Sequence, residues 1–444
     1  MTISRTICLG FIAAIAGGAL LLLMPFATST GEWGSPLVAL FTATSAVCVT
    51  GLSVVDVSKY FSFWGELTVM LLAQLGGLGY MTLTTFLMIL IGRKFDLQQR
   101  FAIQESFDHR FAQGSSNLIK SVIATTLIFE ITGTIILFFV FLQDYPPPRA
   151  LWYAVFHSVS AFNNAGFSLF SDGLIGYQTS VPLNLTVSAL IIFGGIGYQV
   201  IIESYFWLVR KVKKSQRPFA FSLNLRVVVR VTIFLLLLGF FGILILEAQG
   251  NRAFAQFSFQ DRLLVAWFQS VTTRTAGFNT IDLNELSSTS LVLVMLLMFI
   301  GASPSGTGGG IKTTTFAILA NCTRSALRGQ ERVIIDDRCI PPQLILKAIA
   351  VVFGSMVTVI SSVSLLIFLE SEQEAVSLAF EAVSAFATVG LSLGITPELR
   401  PLSQLVLIIT MFIGRVGITI LMAAIVGDPK PSLIKYPEEN LLVG

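Results

Sequence analysis

Charge is what this sequence of 444 residues has least of. Lys, Arg, Asp and Glu together make up 12%, about half the share of a soluble domain. Two or three water-facing domains of this combined length could not be coated with so few charges. The same scarcity excludes a disordered chain and a coiled coil. Histidine is nearly missing as well: only His109 and His157 occur, too few for a histidine-based metal centre. The four cysteines, Cys8, Cys48, Cys322 and Cys339, contain no CxxC pair, so neither a disulfide framework nor a zinc site is implied. What is abundant is apolar: hydrophobic residues reach 54% and mean hydropathy is +0.81. The composition is that of an all-α polytopic membrane protein. Arg5 precedes an apolar run over about 7–26, whose length of about 20 residues suits a span better than a cleaved signal.

One unit occurs four times. S-A-V-C-V-T-G-L-S (45–53), S-A-F-N-N-A-G-F-S (160–168), V-T-T-R-T-A-G-F-N (271–279) and S-A-F-A-T-V-G-L-S (384–392) align without gaps. Their glycines, Gly51, Gly166, Gly277 and Gly390, are 115, 111 and 113 residues apart. Each unit has a long apolar stretch (7–27, 116–142, 224–248, 343–369), a short amphipathic stretch (35–47, 149–162, 259–273, 372–386) and a second long apolar stretch (66–92, 180–209, 288–322, 401–426). A long stretch can cross a hydrocarbon core of about 30 Å; a short one of about 13 residues cannot and must re-enter from one side. The repeats divide the chain at 1–92, 93–209, 210–322 and 323–426, leaving a tail at 427–444. Two spans per unit give all four the same orientation, eight transmembrane helices in all. An inverted-repeat carrier needs an odd number per repeat, which weighs against an alternating-access carrier. An intramembrane enzyme would need clustered acid–base or metal residues at membrane depth; Glu130, Glu203, Arg415 and Lys312 are dispersed over different units.

Charge sorting orients the spans. One set of segments (the N-terminus, 93–120, 210–230, 312–347 and the tail) holds 21 Lys and Arg against 9 acidic residues; the opposite set holds 6 against 14. The basic set is expected inside, with both termini cytoplasmic.

Four span–short helix–span units around an axis enclose a pore. The C-terminal end of each short helix carries partial negative charge toward its centre, and the backbone after it offers carbonyls, which can replace the hydration shell of a cation. The expected filter residues are Val49, Thr50 and Gly51; Asn164, Ala165 and Gly166; Thr275, Ala276 and Gly277; Thr388, Val389 and Gly390. Val49-Thr50-Gly51 and Thr388-Val389-Gly390 resemble the T-V-G core of potassium-channel filters, and the other two do so less. Asp56, Asp172 and Asp282 follow their glycines by five, six and five residues and are expected in an outer vestibule that concentrates cations. The fourth unit has Ile395 and Thr396 there. Arg274 is expected to brace the filter loop by donating to carbonyls or to an acid such as Asp282.

The third unit's second span is interrupted by Gly301, Ala302, Ser303, Pro304, Ser305, Gly306, Thr307, Gly308, Gly309 and Gly310. No regular helix continues through that composition, and irregular backbone at membrane depth must line a cavity. A gate is expected there. A phosphate loop is excluded, because Ile311 stands where glycine should precede Lys312. Arg415 falls 25 residues after Gly390 and Gly301 falls 24 after Gly277, so the two should lie at similar depth, with Arg415 donating to loop carbonyls and raising an electrostatic barrier.

The glycine segments, above all T-T-R-T-A-G-F-N (272–279), together with G-T-G-G-G-I-K-T-T-T (306–315), resemble the Trk/Ktr/HKT superfamily of cation transporters over about residues 7–444. Within it the chain is most similar to the KtrB-type bacterial membrane subunit: the first unit begins at once, without the two extra N-terminal helices of TrkH-type members, and the chain ends in a short Y-P-E-E-N-L-L-V-G tail. The resemblance implies potassium uptake across a bacterial inner membrane, often with Na+ as coupling or activating ion. It implies a homodimer above a cytoplasmic ring of KtrA-type nucleotide-binding subunits. It maps the potassium site to Gly51, Gly166, Gly277 and Gly390, the gating loop to Gly301–Gly310, the pore arginine to Arg415, and the dimer-interface tail to Leu441–Gly444. Gly51, where sodium-selective plant members have serine, speaks against a sodium-selective or poorly selective pathway.

Overall fold

A computed structural model describes residues 3–79, 115–214, 219–248, 254 and 257–427, and the statements below concern these. The second part of the first unit's second span (80–92 of 66–92) and the tail with Leu441–Gly444 lie outside the described residues. The first unit comprises α1 (Ile3–Leu23), α2 (Pro36–Val47) and α3 (Phe63–Leu78). The second comprises α4 (Ser115–Phe141), α5 (Pro147–Phe162), α6 (Val181–Ile196) and α7 (Tyr198–Val212). The third comprises α8 (Leu223–Glu247), α9 (Phe259–Thr272), α10 (Ser288–Phe299) and α11 (Thr313–Leu327). After a two-stranded hairpin, β1 (Ile334–Ile335) with β2 (Arg338–Cys339), come α12 (Pro342–Leu369), α13 (Ala375–Ala387), α14 (Pro401–Val416) and α15 (Ile418–Val426).

Helices α1, α4, α8 and α12 are long enough at about 1.5 Å per residue to span a bilayer. Their outer faces carry exposed Leu20, Ile128, Phe234 and Phe353, which suits hydrocarbon and not water. The short helices α2, α5, α9 and α13 have 12, 16, 14 and 13 residues and do not cross. Proline opens α2 and α5, where its missing N–H has no intrahelical partner to lose. Ser258 caps α9 by accepting from the Asp261 amide. Their C-terminal halves form the centre of the molecule: Val47, Phe162 and Phe268 are fully buried.

The second spans differ from the sequence expectation. The stretches 180–209 and 401–426 read as unbroken, yet α6 turns into α7 by 102° and α14 into α15 by 96°. Gly197 (φ 96°) and Gly417 (φ 84°) make these corners, in a region that side-chain-bearing residues avoid. Just before each corner a glycine lies against the end of the unit's own short helix. A methyl group on Gly194 or Gly414 would strike the carbonyl of Phe162 or Phe386.

Around the axis, α3 packs on α5, α6 on α9, α10 on α13, and α14 on α2. Each second span therefore supports the next unit's short helix, and the fourth unit closes on the first. Arg5 reinforces the closure, its Nε donating to the Ala424 carbonyl at 2.8 Å.

Candidate functional site: a ring of four glycine loops

Immediately after each short helix the backbone reverses hand. Val49, Asn164, Thr275 and Thr388 have φ of 51°, 56°, 66° and 52°, and Gly51, Gly166, Gly277 and Gly390 have 91°, 71°, 75° and 92°. Left-handed backbone costs about 1–2 kcal/mol in a residue with a Cβ. Val49, Thr275 and Thr388 are β-branched, so the surroundings impose the conformation.

Those surroundings are hydrogen bonds back to the short helix. The amides of Thr50, Ala165, Ala276 and Val389 donate to the carbonyls of Ser45, Ser160, Thr272 and Ser384 at 2.8, 2.8, 3.0 and 2.9 Å. The Gly51 and Gly390 amides donate to the hydroxyls of Ser45 (3.0 Å) and Ser384 (3.1 Å). In the other two units Ser160 and Thr272 donate instead to the carbonyls of Phe167 (2.8 Å) and Phe278 (2.6 Å). With these amides tied back, carbonyls remain for the axis.

The carbonyls meet there in a closed cycle. A methyl group on Gly51 would lie 2.6 Å from the Ala165 oxygen, and one on Gly166 would lie 2.7 Å from the Ala276 oxygen. On Gly277 it would strike the Val389 oxygen, and on Gly390 the Thr50 oxygen. All four glycines also line one cavity of about 270 Å³ on the ring's outer side.

The 301–310 loop lies against the other side of the ring. Thr307 Oγ1 donates to Asn164 Oδ1 (3.0 Å), and the Gly309 amide donates to Thr388 Oγ1 (2.9 Å). Gly308 leaves no room for a side chain over Thr275 Oγ1. The loop folds on itself, the Ala302 amide donating to the Gly309 carbonyl (3.2 Å). It also docks on the second unit: the Ser303 and Thr307 amides donate to the Gly195 (2.9 Å) and Gly194 (3.1 Å) carbonyls, and the Tyr198 amide to the Ser305 carbonyl (3.2 Å).

Three cations grip this segment. Arg415, on the last turn of α14, donates from Nη1 to the Thr307 carbonyl and from Nη2 to the Gly76 carbonyl. Lys312 Nζ donates to the Gly308 carbonyl at 2.8 Å. Arg274 Nη1 donates to the Ile300 carbonyl at 3.0 Å. Arg274 thus donates to the carbonyl just before the 301–310 loop, and not to the filter loop or Asp282 as expected.

Residues 12–436 match the family model described as TrkH, cation transport protein. The chain belongs to this family. It is 34% identical over 441 residues to the Ktr system potassium uptake protein B of Vibrio alginolyticus, covering 99% of this chain and 94% of that one. It is 35% identical over 441 residues to the protein of the same name from Bacillus subtilis, covering 99% and 96%. It is 35% identical over 445 residues to the potassium/sodium uptake protein NtpJ of Enterococcus hirae, covering 99% and 97%. The crystal structure of the potassium transporter TrkH from Vibrio parahaemolyticus shares the fold, with a TM-score of 0.72 over 95% of this chain and 84% of that one at 19% identity. The chain is a multi-pass membrane protein of the TrkH family.

The acids expected at the outer mouth of this TrkH-family fold do not act alike. Asp56 lines the outer cavity, but Asp172 and Asp282 are not among its lining residues. Partial burial works to raise the Asp56 carboxyl, but hydrogen bonds from Ser171, Ser58 and Lys59 outweigh it and hold the group below its ordinary value. Asp282 accepts from the Asn284 amide (3.0 Å) and opens a short turn. Two acids within the apolar stretches are hydrogen-bonded inside the helix bundle. Glu130 accepts from Asn163 Nδ2 (3.0 Å), which also reaches Gln74 Oε1 (2.7 Å). Glu203 accepts from the amide (2.6 Å) and hydroxyl (2.7 Å) of Ser222 at the start of α8.

One set of residues was not singled out from the sequence. Ser53, Ser168, Asn279 and Ser392 all line the outer cavity. Each lies two residues beyond its glycine, and the aligned segments end on S, S, N and S, a signal as regular as the glycines themselves.

Proposed function

We propose that this chain carries potassium into the cell through the ring formed by Gly51, Gly166, Gly277 and Gly390 with the residues before them. The closed cycle of carbonyls around one axis, with the amides tied back, is the observation that carries this reading. Four sets of backbone carbonyls can replace the water of a monovalent cation, and the short-helix C-termini add partial negative charge. The names of the relatives, two of them potassium uptake proteins and one a potassium/sodium uptake protein, support potassium as cargo and sodium as a stimulating ion. The 301–310 loop with Arg415 is the gate: it lies across the path on one side of the ring and holds a guanidinium there. Lys and Arg crowd the segments on the gate side, which supports a cytoplasmic gate and cytoplasmic termini in the inner membrane of a bacterium. The Ktr system names support a partner subunit; a homodimer on a cytoplasmic nucleotide-binding ring of the KtrA type is what the family resemblance implies.

The test is growth of a potassium-uptake-deficient strain at limiting potassium. Expression of the chain with its cytoplasmic partner restores growth, and potassium uptake exceeds sodium uptake. Absence of rescue, or equal uptake of both ions, overturns the proposal.

A further inference from the structure

The outer polar ring has an order that the glycine ring does not explain. A serine hydroxyl offers one proton and two lone pairs. In the three serines of the ring the proton goes to a protein acceptor. Ser53 Oγ donates to the Val55 carbonyl (2.6 Å), and Ser392 Oγ donates to Glu381 Oε1. Ser168 Oγ lies 3.0 Å from His157 Nε2 and, at the longer distance of 3.3 Å, from the Gly173 carbonyl, both of which can take its proton. His157 Nδ1 lies 2.8 Å from the Tyr153 carbonyl, which can only accept, so in the neutral ring Nε2 is the acceptor; the Leu169 amide approaches it as well, at 3.4 Å. One lone pair of each serine then accepts from the amide two residues on: Val55 (3.4 Å), Phe170 (3.0 Å) and Gly394 (2.9 Å). Thr396 Oγ1 also lies 3.0 Å from Ser392 Oγ, but its own proton goes to Glu381 Oε2, so one lone pair per hydroxyl is left, beside the cavity that all four glycines line.

The groups that take two of the protons are otherwise unused. Glu381 and His157 are 0% and 1% exposed, lie nine residues before their glycines, and face each other across the ring from the second and fourth units. Thr396 Oγ1 fills the other carboxylate oxygen of Glu381 at 2.9 Å.

We propose that Ser53, Ser168, Asn279 and Ser392 form a second coordination ring for a partly hydrated monovalent cation outside the glycine ring, and that Glu381 and His157 are positioning residues that keep the serine protons turned away from the ion. The proposal rests on the glycine ring being the ion path. It gives the entering potassium ion side-chain oxygens before it meets the carbonyls, so that dehydration proceeds in two stages.

Potassium binding to the purified, detergent-solubilised chain, followed by calorimetric titration, tests it. Ser392→Ala raises the Kd about fivefold, the weight of one modest polar contact. Glu381→Ala does the same, and the double variant is no worse than either single one, because both remove one oriented oxygen. Glu381→Gln, whose Oε1 still accepts from Ser392, recovers most of the binding; monodisperse elution of each variant confirms that it folds. An unchanged Kd in Ser392→Ala, multiplying effects in the double variant, or Glu381→Gln as weak as Glu381→Ala overturns the proposal. Gly51→Ser is measured alongside. If it leaves binding and potassium preference intact, the ion path itself is misassigned. If it abolishes them while Ser392→Ala does nothing, only the outer ring fails.

Discussion

The two sides of the glycine ring are built on different plans. On the outer side every unit contributes the same parts: a buried short helix, a left-handed residue, a glycine, and a polar residue two positions on. On the inner side, among the described residues, one unit contributes a loop and a lysine, another a single arginine, and the other two chiefly glycine carbonyls for these to hold. Equal oxygens around an ion require four like contributors, so departure from symmetry there costs affinity. Blocking a path requires only one obstacle, and an obstacle held by a few hydrogen bonds can be released. The proposed function thereby assigns selectivity and gating to opposite faces of one ring.

The separation can be attacked from either side. The largest effect is expected at the symmetric ring. Gly51→Ser forces a Cβ against the Ala165 carbonyl and lowers the potassium-to-sodium uptake ratio by about tenfold or more, a loss of over about 1.4 kcal/mol in discrimination; an unchanged ratio would refute the ring. Next comes the inner side. Arg415→Ala frees the Thr307 and Gly76 carbonyls and removes a charge, so resting flux rises several-fold while the ion preference stays. Equal flux and gating in this variant, or a shifted preference, would erase the division between the two sides. Lys312→Met releases only the Gly308 carbonyl and is expected to raise resting flux about twofold, less than a charged hydrogen bond is worth in full because Arg415 still holds the loop; radioactive rubidium uptake resolves both variants.

The smallest effect lies away from the axis. Asp336, in the turn between β1 and β2, takes a bidentate grip from Arg230 (3.0 and 3.1 Å) with Arg226 at 3.6 Å. The Arg230 hydrogen bonds, aided by the charges of Arg230 and Arg226, lower its carboxyl against a small opposing effect of burial. A carboxyl lowered in the folded chain stabilises it above its unfolded value, and that contribution disappears as pH falls through the lowered folded value. Asp336→Asn should cost under about 1 kcal/mol at neutral pH, with the difference vanishing in acid and uptake unaffected. A thermal melt of both forms across pH settles it, and a change in uptake would tie the hairpin to the gate.

Legibility in the sequence follows symmetry. Whatever occurs four times could be aligned with itself, which is why the glycines, the short helices and the pitch of the repeat were readable from one chain. The interrupted segment was legible for the opposite reason: Pro304 amid five glycines breaks any periodic pattern. The corners at Gly197 and Gly417 fall in glycine clusters (194–197 and 414–417) that the sequence shows, but the bend itself was hidden because a bent apolar helix has the composition of a straight one. The partner of Arg274 was hidden too, because a guanidinium reaches several carbonyls and only packing decides among them. His157 and Glu381 escaped notice as isolated polar residues in different units, and their common role depends on two serines that the fold brings to them.

The closure of the ring between Thr50 and Gly390 has a consequence for biosynthesis. The chain emerges from its N-terminus, so the first quarter must wait in the bilayer for about 340 further residues before its last neighbour arrives. Until α14 reaches α2 and Ala424 meets Arg5, the axis is an open trough with unsatisfied carbonyls, not a tube. On the proposed function, a nascent or truncated chain lacks the last neighbour that completes the ion path.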